Sequence, residues 1–317
     1  MIVTVTLNPS LDLTYALAED GLGQIEVHRA RTISVEASGK GVNVSRTLHA
    51  AGVATIAVLP EGGQTGQHLG DLLAAEGLEH VPVPVGGQTR INTSLLLANG
   101  QTVKVNGPGA PMARPDLGRL LDVLATVLST PDEEDGERWL AICGSLPPGL
   151  APDVVGELVD LAHRHTVHCV VDASGPTLVA AARAKADLLA PNRFELGELV
   201  GSEVATAEIP DVADAARRLA ADSEMELLVS MGGEGAIHTD GTHVLHGSGP
   251  VLVPVNTAGA GDAFLAGWLA GPGSPQNRMT RALGWGRSAC LSPTTVDRAP
   301  GTRGVDGITV TTIHPRA

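Results

Sequence analysis

Asn256-Thr257-Ala258-Gly259-Ala260-Gly261-Asp262 runs directly into the apolar stretch Ala263-Phe264-Leu265-Ala266-Gly267-Trp268-Leu269. Small residues at a helix start let backbone N–H groups converge on one point. The helix N-terminus adds about half a positive charge there. A nest made by Ala258, Gly259, Ala260 and Gly261 would therefore suit an anion. Asp262, the last polar residue before the apolar face, would stand beside that anion as a base. An anion hole next to a base is what phosphoryl transfer to a hydroxyl requires, because that chemistry is mostly positioning and charge stabilisation. The same residues also read as a Gly-rich loop whose Asp caps a helix.

Ser38-Gly39-Lys40-Gly41-Val42-Asn43 is a second Gly-rich loop entering a helix. It is not a P-loop, and no dinucleotide fingerprint occurs here or around Gly259. Lys40 could pair with a phosphate or be a solvated loop cation. Asn8-Pro9-Ser10-Leu11-Asp12 follows the first strand. Asp12 there suits two adjacent sugar hydroxyls, or a simple turn. Ser145, in Gly144-Ser145-Leu146-Pro147-Pro148-Gly149, could bond substrate oxygens or cap its turn. Asn192 and Glu195 stand three apart at a helix start, where they could order metal-bound waters around phosphates or cap the helix. Ser230-Met231-Gly232-Gly233-Glu234-Gly235 ends a strand and lets backbone approach a ligand, or leads into a hairpin. Arg90 could fork onto a phosphate or lie on the surface. The 11 histidines form no HxxxH or His/Cys cluster, so no transition-metal site is assigned. No Gly-x-Ser-x-Gly elbow supports a serine hydrolase.

Elements must hold these loops together. The chain has 317 residues, 43% of them hydrophobic, enough for one large α/β domain or two modest ones. Helices are expected over Val42–Ala51, Gly66–Glu76, Leu117–Leu128, Pro152–His163, Thr177–Ala184, Phe194–Val200, Val212–Ala221 and Met279–Ala289. Strands alternate with them at Ile2–Leu7, Thr55–Leu59, Trp139–Cys143, His168–Asp172, Leu188–Ala190 and Leu227–Ser230. That alternation implies a mainly parallel sheet covered on both faces, with functional loops past the strands' carboxyl ends. Hairpins are expected around Asn99-Gly100 and Asp240-Gly241, and a short edge strand near Ile308–Thr312. The strand-rich stretches at about 13–37 and 90–106 break the alternation. They read as a small sheet acting as a lid, or as an edge extension of the main sheet.

Net charge is −14, from 35 acidic and 21 basic residues, and aromatics are 2%. That balance argues against nucleic acid and against an anionic membrane as partners. An anionic substrate would need a local positive spot. Lys40, Lys104 and Lys185 are the only lysines, against 18 arginines. Cys143, Cys169 and Cys290 lack paired or metal-type spacing and read as thiols in a reducing cytosol. The N-terminus carries no signal-peptide features, and no apolar run approaches the ~18 residues of a membrane span.

In this order the motifs resemble the PfkB (ribokinase-like) family of carbohydrate kinases, from about Thr4 to Ala289. The residues Thr6-Leu7-Asn8-Pro9-Ser10-Leu11-Asp12, Gly39-Lys40-Gly41-Val42-Asn43-Val44-Ser45-Arg46, Thr89-Arg90-Ile91-Asn92 and Gly144–Gly149 are similar to the sugar-phosphate branch. That branch holds 1-phosphofructokinases, tagatose-6-phosphate kinases and minor 6-phosphofructokinases. The resemblance implies one kinase domain over 1–317, a three-layer α/β/α core and a small β-sheet lid. It implies a cytoplasmic enzyme using ATP and Mg2+ on a ketohexose phosphate. Fructose 1-phosphate comes first, with tagatose 6-phosphate or fructose 6-phosphate as alternatives. Asp262 would be the base and the amides of Ala258–Gly261 the anion hole. Asp12, Gly39, Gly41, Asn43 and Asn92 would hold the sugar, while Arg90, Lys40 and Ser145 would meet the phosphate already on it. Asn192 and Glu195 would organise Mg-ATP, Glu195 through water, and Thr257, Ser230, Gly232 and Gly235 would line the nucleotide. A homodimer through the lid is also implied. A non-catalytic sensor of sugar phosphate or nucleotide is the rival from another class.

The sequence departs from the branch at Ser38, where a glycine is common, at Ala190, where a lysine is usual, and at Asn256, where Asp or Ser is usual. The tail after Ser292 is atypical.

Overall fold

The computed structural model describes residues 1–23, 27–131, 136–201 and 204–313. Strand β1 (Ile2–Val5) lies inside a ten-stranded sheet. The chain then leaves this sheet to form β2 (Ser10–Leu17) and β3 (Ala30–Ser38). It returns through α1 (Lys40–Ala50), β4 (Thr55–Gly62), α2 (Gly63–Ala75) and β5 (His80–Val85). A second excursion makes β6 (Arg90–Leu96) and β7 (Thr102–Asn106). Regular alternation follows: α3 (Arg114–Ser129), β8 (Trp139–Cys143), α4 (Val154–Arg164), β9 (His168–Asp172), α5 (Gly175–Arg183), β10 (Leu188–Leu189), α6 (Arg193–Val200), α7 (Ile209–Ser223) and β11 (Glu226–Ser230). The chain ends with β12 (Ala236–Thr239), β13 (Val244–Ser248), α8 (Ala260–Leu269), α9 (Pro275–Cys290) and β14 (Thr309–Ile313).

The large sheet has the order β14-β13-β12-β11-β10-β9-β8-β1-β4-β5. From β5 to β11 every pairing is parallel, and β12 to β14 close the edge antiparallel. Side chains alternate across it as the two-residue repeat demands. Leu140 and Ile142 of β8 join the cluster with Leu120, Leu158 and Val212 of α3, α4 and α7. Trp139, Ala141 and Cys143 join the other, with Leu48, Trp268 and Met279 of α1, α8 and α9. Both faces are thus covered, giving three layers. Truncating a fully buried leucine such as Leu140 or Leu158 should cost about 2–5 kcal/mol.

Strand β5 has no counterpart in the sequence reading, because Pro82 and Pro84 argue against a strand. It survives as the outermost strand, where missing N–H donors go unmissed. The small sheet is separate, in the order β3-β2-β6-β7, so the edge-extension alternative does not hold. It begins at Ser10, three residues before the expected start, and the connection between β2 and β3 passes through residues 24–26, outside the described residues.

Strand β1 has β4 on one side and β8 on the other, so the strand order reverses direction beside it. Ligand crevices in open α/β sheets form at such switch points, past the carboxyl ends of the strands. Asp172 and Ser230, the last residues of β9 and β11, and the loops carrying Asn8, Ser145 and Asn192 all lie at that end.

Candidate active site

Gly259 is the residue before α8, with φ +77°. A Cβ there would also lie 2.1 Å from the Thr295 carbonyl oxygen, so only glycine fits. Asp262 is the third residue of the helix, not its cap. Its Oδ2 instead accepts a 2.8 Å hydrogen bond from Asn43 Nδ2 on α1, and the residue is 7% exposed. Burial, reinforced by the Asp172 carboxylate, raises its pKa to about 7, with Asn43 and Lys40 pulling the other way. A carboxylate poised there can accept a proton near neutrality. The nest is smaller than the sequence suggests. The Ala258 N–H donates to Asn256 Oδ1 at 3.0 Å, and the Ala260 N–H reaches the Thr257 carbonyl at 3.3 Å. Gly261 meets open space: nothing lies within 4 Å of where its Cβ would be.

That space is a cavity of about 270 Å³ lined by Lys40, Asp172, Ala190, Asn192, Glu195, Ser230, Gly259, Gly261 and Asp262. Lys40 Nζ donates to Asp172 Oδ1 at 2.7 Å. Burial opposes the ammonium, but the carboxylates of Asp172, Asp262 and Glu195 together outweigh it and the pKa is raised. Lys40 is therefore not a solvated loop cation; it stands charged in the cavity of Asp262. Asn192 and Glu195 do cap α6. Asn192 Oδ1 accepts from the N–H groups of Phe194 and Glu195 at 2.9 and 3.0 Å, while Glu195 Oε2 accepts from the Asn192 N–H at 2.8 Å. Capping does not remove them from the cavity, and burial raises the Glu195 pKa.

A larger cavity of about 480 Å³ adjoins it, sharing Ser230, Gly261 and Phe264. Gly232, Gly235 and Thr257 line it with Leu252, Leu283, Arg287 and Cys290. Its walls are mainly apolar with a few polar groups, as suits an aromatic heterocycle.

The lid supplies a third group. The parallel register of β2 and β6 sets Asp12 across from Asn92 and Ser10 across from Arg90. Asp12 Oδ1 accepts from Ser10 Oγ at 2.7 Å and Asn92 Nδ2 at 3.0 Å. Asp12 thus belongs to the body of a strand, not to a turn. Arg90 Nη1 donates to the Gly107 carbonyl at 3.2 Å, and its Nε is buried without a partner. Burial lowers the Arg90 pKa, against the pull of Asp12. Ser145 Oγ accepts from Asn8 Nδ2 at 3.3 Å. Gly39, at φ +126°, turns the chain from β3 into α1, and a Cβ on Gly41 would lie 2.5 Å from Thr6 Oγ1.

Residues 5–272 match the family described as pfkB family carbohydrate kinase. The chain belongs to the PfkB family. It is 32% identical over 271 residues to the 1-phosphofructokinase of Bacillus subtilis (strain 168), covering 86% of this chain and 85% of that one. It is also 32% identical over 270 residues to the ATP-dependent 6-phosphofructokinase isozyme 2 of Escherichia coli (strain K12), covering 83% of each. The crystal structure of phosphofructokinase-2 from Escherichia coli in complex with substrates and products superposes with a TM-score of 0.84 at 29% identity, over 93% of this chain and 94% of that chain.

Within this PfkB kinase the departures have clear positions. Ser38 is buried at the end of β3. Ala190 lines the cavity of Asp262, and Asn256 braces the loop before α8 through the Ala258 N–H. Sequence reasoning did not single out Asp172 and Arg287, which line the smaller and the larger cavity. Asp172 had a signal, a carboxylate closing a buried parallel strand at the functional end of the sheet. Arg287 had none, because a single arginine in a helix is usually on the surface. Among the described residues no helix is long and apolar enough to cross a membrane.

Proposed function

We propose that this PfkB kinase transfers the terminal phosphoryl group of ATP to fructose 1-phosphate, giving fructose 1,6-bisphosphate and ADP. The observation that carries the reading is Asp262, buried with a raised pKa at the start of α8, on the wall of a cavity that also holds a lysine. Asp262 accepts the proton of the acceptor hydroxyl as its oxygen forms the bond to phosphorus and ADP leaves. The N–H groups at Gly259 and Gly261, at the start of α8, and the Lys40 ammonium face the charge that develops on the phosphoryl oxygens, while the Ala260 N–H is held by the Thr257 carbonyl.

Asn43 both orients Asp262 and offers a buried carbonyl, Oδ1, which has no donor in the protein. A sugar hydroxyl satisfies it. Asp12, Asn92 and the Gly39-Gly41 turn complete the sugar site. Arg90, whose buried Nε lacks a partner, takes the phosphate already present, with Ser145 nearby. The 480 Å³ cavity takes the nucleoside of ATP.

The residues fit Mg2+ carried on the phosphates. Glu195 and Asp172 put carboxylates on one cavity, yet no group of three or more His, Cys, Asp or Glu side chains among the described residues could cage a metal ion. Mg2+ prefers this arrangement, keeping several waters beside one or two carboxylates and substrate phosphates. Glu195 would contact it through water, and the ion would neutralise phosphate charge.

Fructose 6-phosphate is the second reading, favoured by the similarity to the Escherichia coli 6-phosphofructokinase isozyme 2. The free, buried Cys143 and Cys169 suit a reducing cytoplasm. A homodimer forms through the lid. Its register places Leu13, Tyr15, Ile33, Val35, Val103 and Val105 on the face opposite Asp12, and Ile33 and Val105 are about 60% exposed. The test of function is a coupled ADP-release assay over fructose 1-phosphate, fructose 6-phosphate, tagatose 6-phosphate and unphosphorylated sugars. Turnover should be greatest with fructose 1-phosphate; absence of ADP release with every sugar in the panel would favour a sensor.

A further inference from the structure

The atypical tail after Ser292 has a place in the site. We propose that Thr295 is a positioning residue that fixes the lid against the anion-hole loop. Its hydroxyl donates to Glu36 Oε2 of β3 at 3.2 Å. Glu36 is the cross-strand partner of Asp12 in the lid. The Thr295 carbonyl, on the same residue, presses on Gly259, close enough to forbid a Cβ there. One residue therefore touches the strand pair that carries Asp12 and the glycine that opens the phosphoryl site.

The base of this tie is braced by hydrogen bonds and packing. Asp297, 3% exposed, accepts from Ser288 Oγ of α9 at 2.6 Å through Oδ2, and from Arg303 Nη2 at 2.8 Å through Oδ1. Thr294 Oγ1 donates to the Val296 carbonyl at 2.9 Å, and Val296 is buried. Helix α9 in turn meets α8 so closely that a Cβ on Gly267 would lie 2.8 Å from the Ala282 α-carbon. Thr295 thus belongs to the body that carries Asp262. The other end is steadied from α1: Arg46 donates to the Ala37 carbonyl at 2.9 Å, and its Nη2 lies 3.8 Å from Glu36 Oε1. The sugar is held in part from the lid, through Asp12 and Asn92, and the base from the core, so this contact helps set their separation. Misplacement by about 1 Å can cost ~10²-fold in rate.

The inference rests on the kinase reading above. Its test compares Thr295→Val, which loses the donor but keeps the methyl group and carbonyl, with Thr295→Ser, which keeps the donor. Wild-type turnover on the sugar-phosphate panel is measured first, so failure of the kinase reading shows as an inactive wild type. With an active wild type, Thr295→Val should lower kcat by roughly tenfold or more and raise KM for the sugar phosphate. KM for ATP should stay within about twofold, and Thr295→Ser should recover most of kcat, because the hydroxyl bond to a carboxylate is what was lost. Amide hydrogen exchange should rise across Glu36–Ser38 in the valine variant alone. Wild-type kcat in Thr295→Val, or equal damage in both variants, overturns the proposal.

Discussion

Asn43 Nδ2 and Asp262 Oδ2 lie 2.8 Å apart although 219 positions separate them in the chain. Asn43 sits in the first turn of α1 and Asp262 in the first turn of α8, so two helix starts converge on one carboxylate. Burial would otherwise favour the protonated acid outright. The Asn43 donor and the Lys40 charge restrain that tendency, while Asp172 works with burial, and the balance falls at about pH 7.

The first prediction concerns pH. If ionised Asp262 is the base, log(kcat/KM) should climb with unit slope and level off above about pH 7. Replacing Asp172 by Asn removes a negative charge that raises the Asp262 pKa, so the acid limb should move to lower pH. A pH–rate profile of both proteins checks this; a limb that stays put would detach Asp172 from the base.

Asp262 should also cost stability. Its folded pKa lies above its ordinary value of 3.8, so the favourable contribution of the protonated acid is complete below that value and is lost as pH rises to about 7. Asp262→Asn should therefore melt higher than wild type at pH 8, with the gap closing towards pH 4. Thermal unfolding across that range measures it, and a variant less stable at pH 8 would contradict the burial argument.

Gly261→Ala separates ligand space from folding space. Apart from its own stretch of helix backbone, nothing in the protein lies within 4 Å of the added methyl, and alanine is the better helix former by up to about 1 kcal/mol. The variant should fold with an unchanged or raised Tm, yet lose at least ~10-fold in kcat/KM because the methyl enters the phosphoryl cavity. Activity equal to wild type would mean that nothing closely approaches this turn.

Much of this was legible in the residues. The alternation from Leu117 to Ser230 is a run of local periodicities, and each buried strand repeats the same apolar signal. The glycines around Lys40 and Gly259 mark places where backbone approaches something closely, which types and spacing reveal. Long-range pairings were not legible. Nothing near Lys40 in the chain points to its pairing with Asp172, 132 positions away. Strand β5 was hidden by its prolines, since only the finished sheet shows that it is an edge. Thr295 carries no motif; its meaning comes from what it touches.

The apolar lid face gives the fourth prediction. Ile33→Asp with Val105→Asp places charge on the face opposite Asp12 and should convert a dimer to a monomer in sedimentation or light scattering. A wild-type monomer at tens of micromolar would remove the lid interface from the account.

The most direct measurement is steady-state ADP release by wild type and Asp262→Asn on fructose 1-phosphate, with ATP affinity determined separately for each. The account predicts near-equal ATP affinity and turnover reduced by at least ~10²-fold in the variant, the scale of a positioned base. Turnover within a few-fold of wild type would show that this carboxylate does not take the proton.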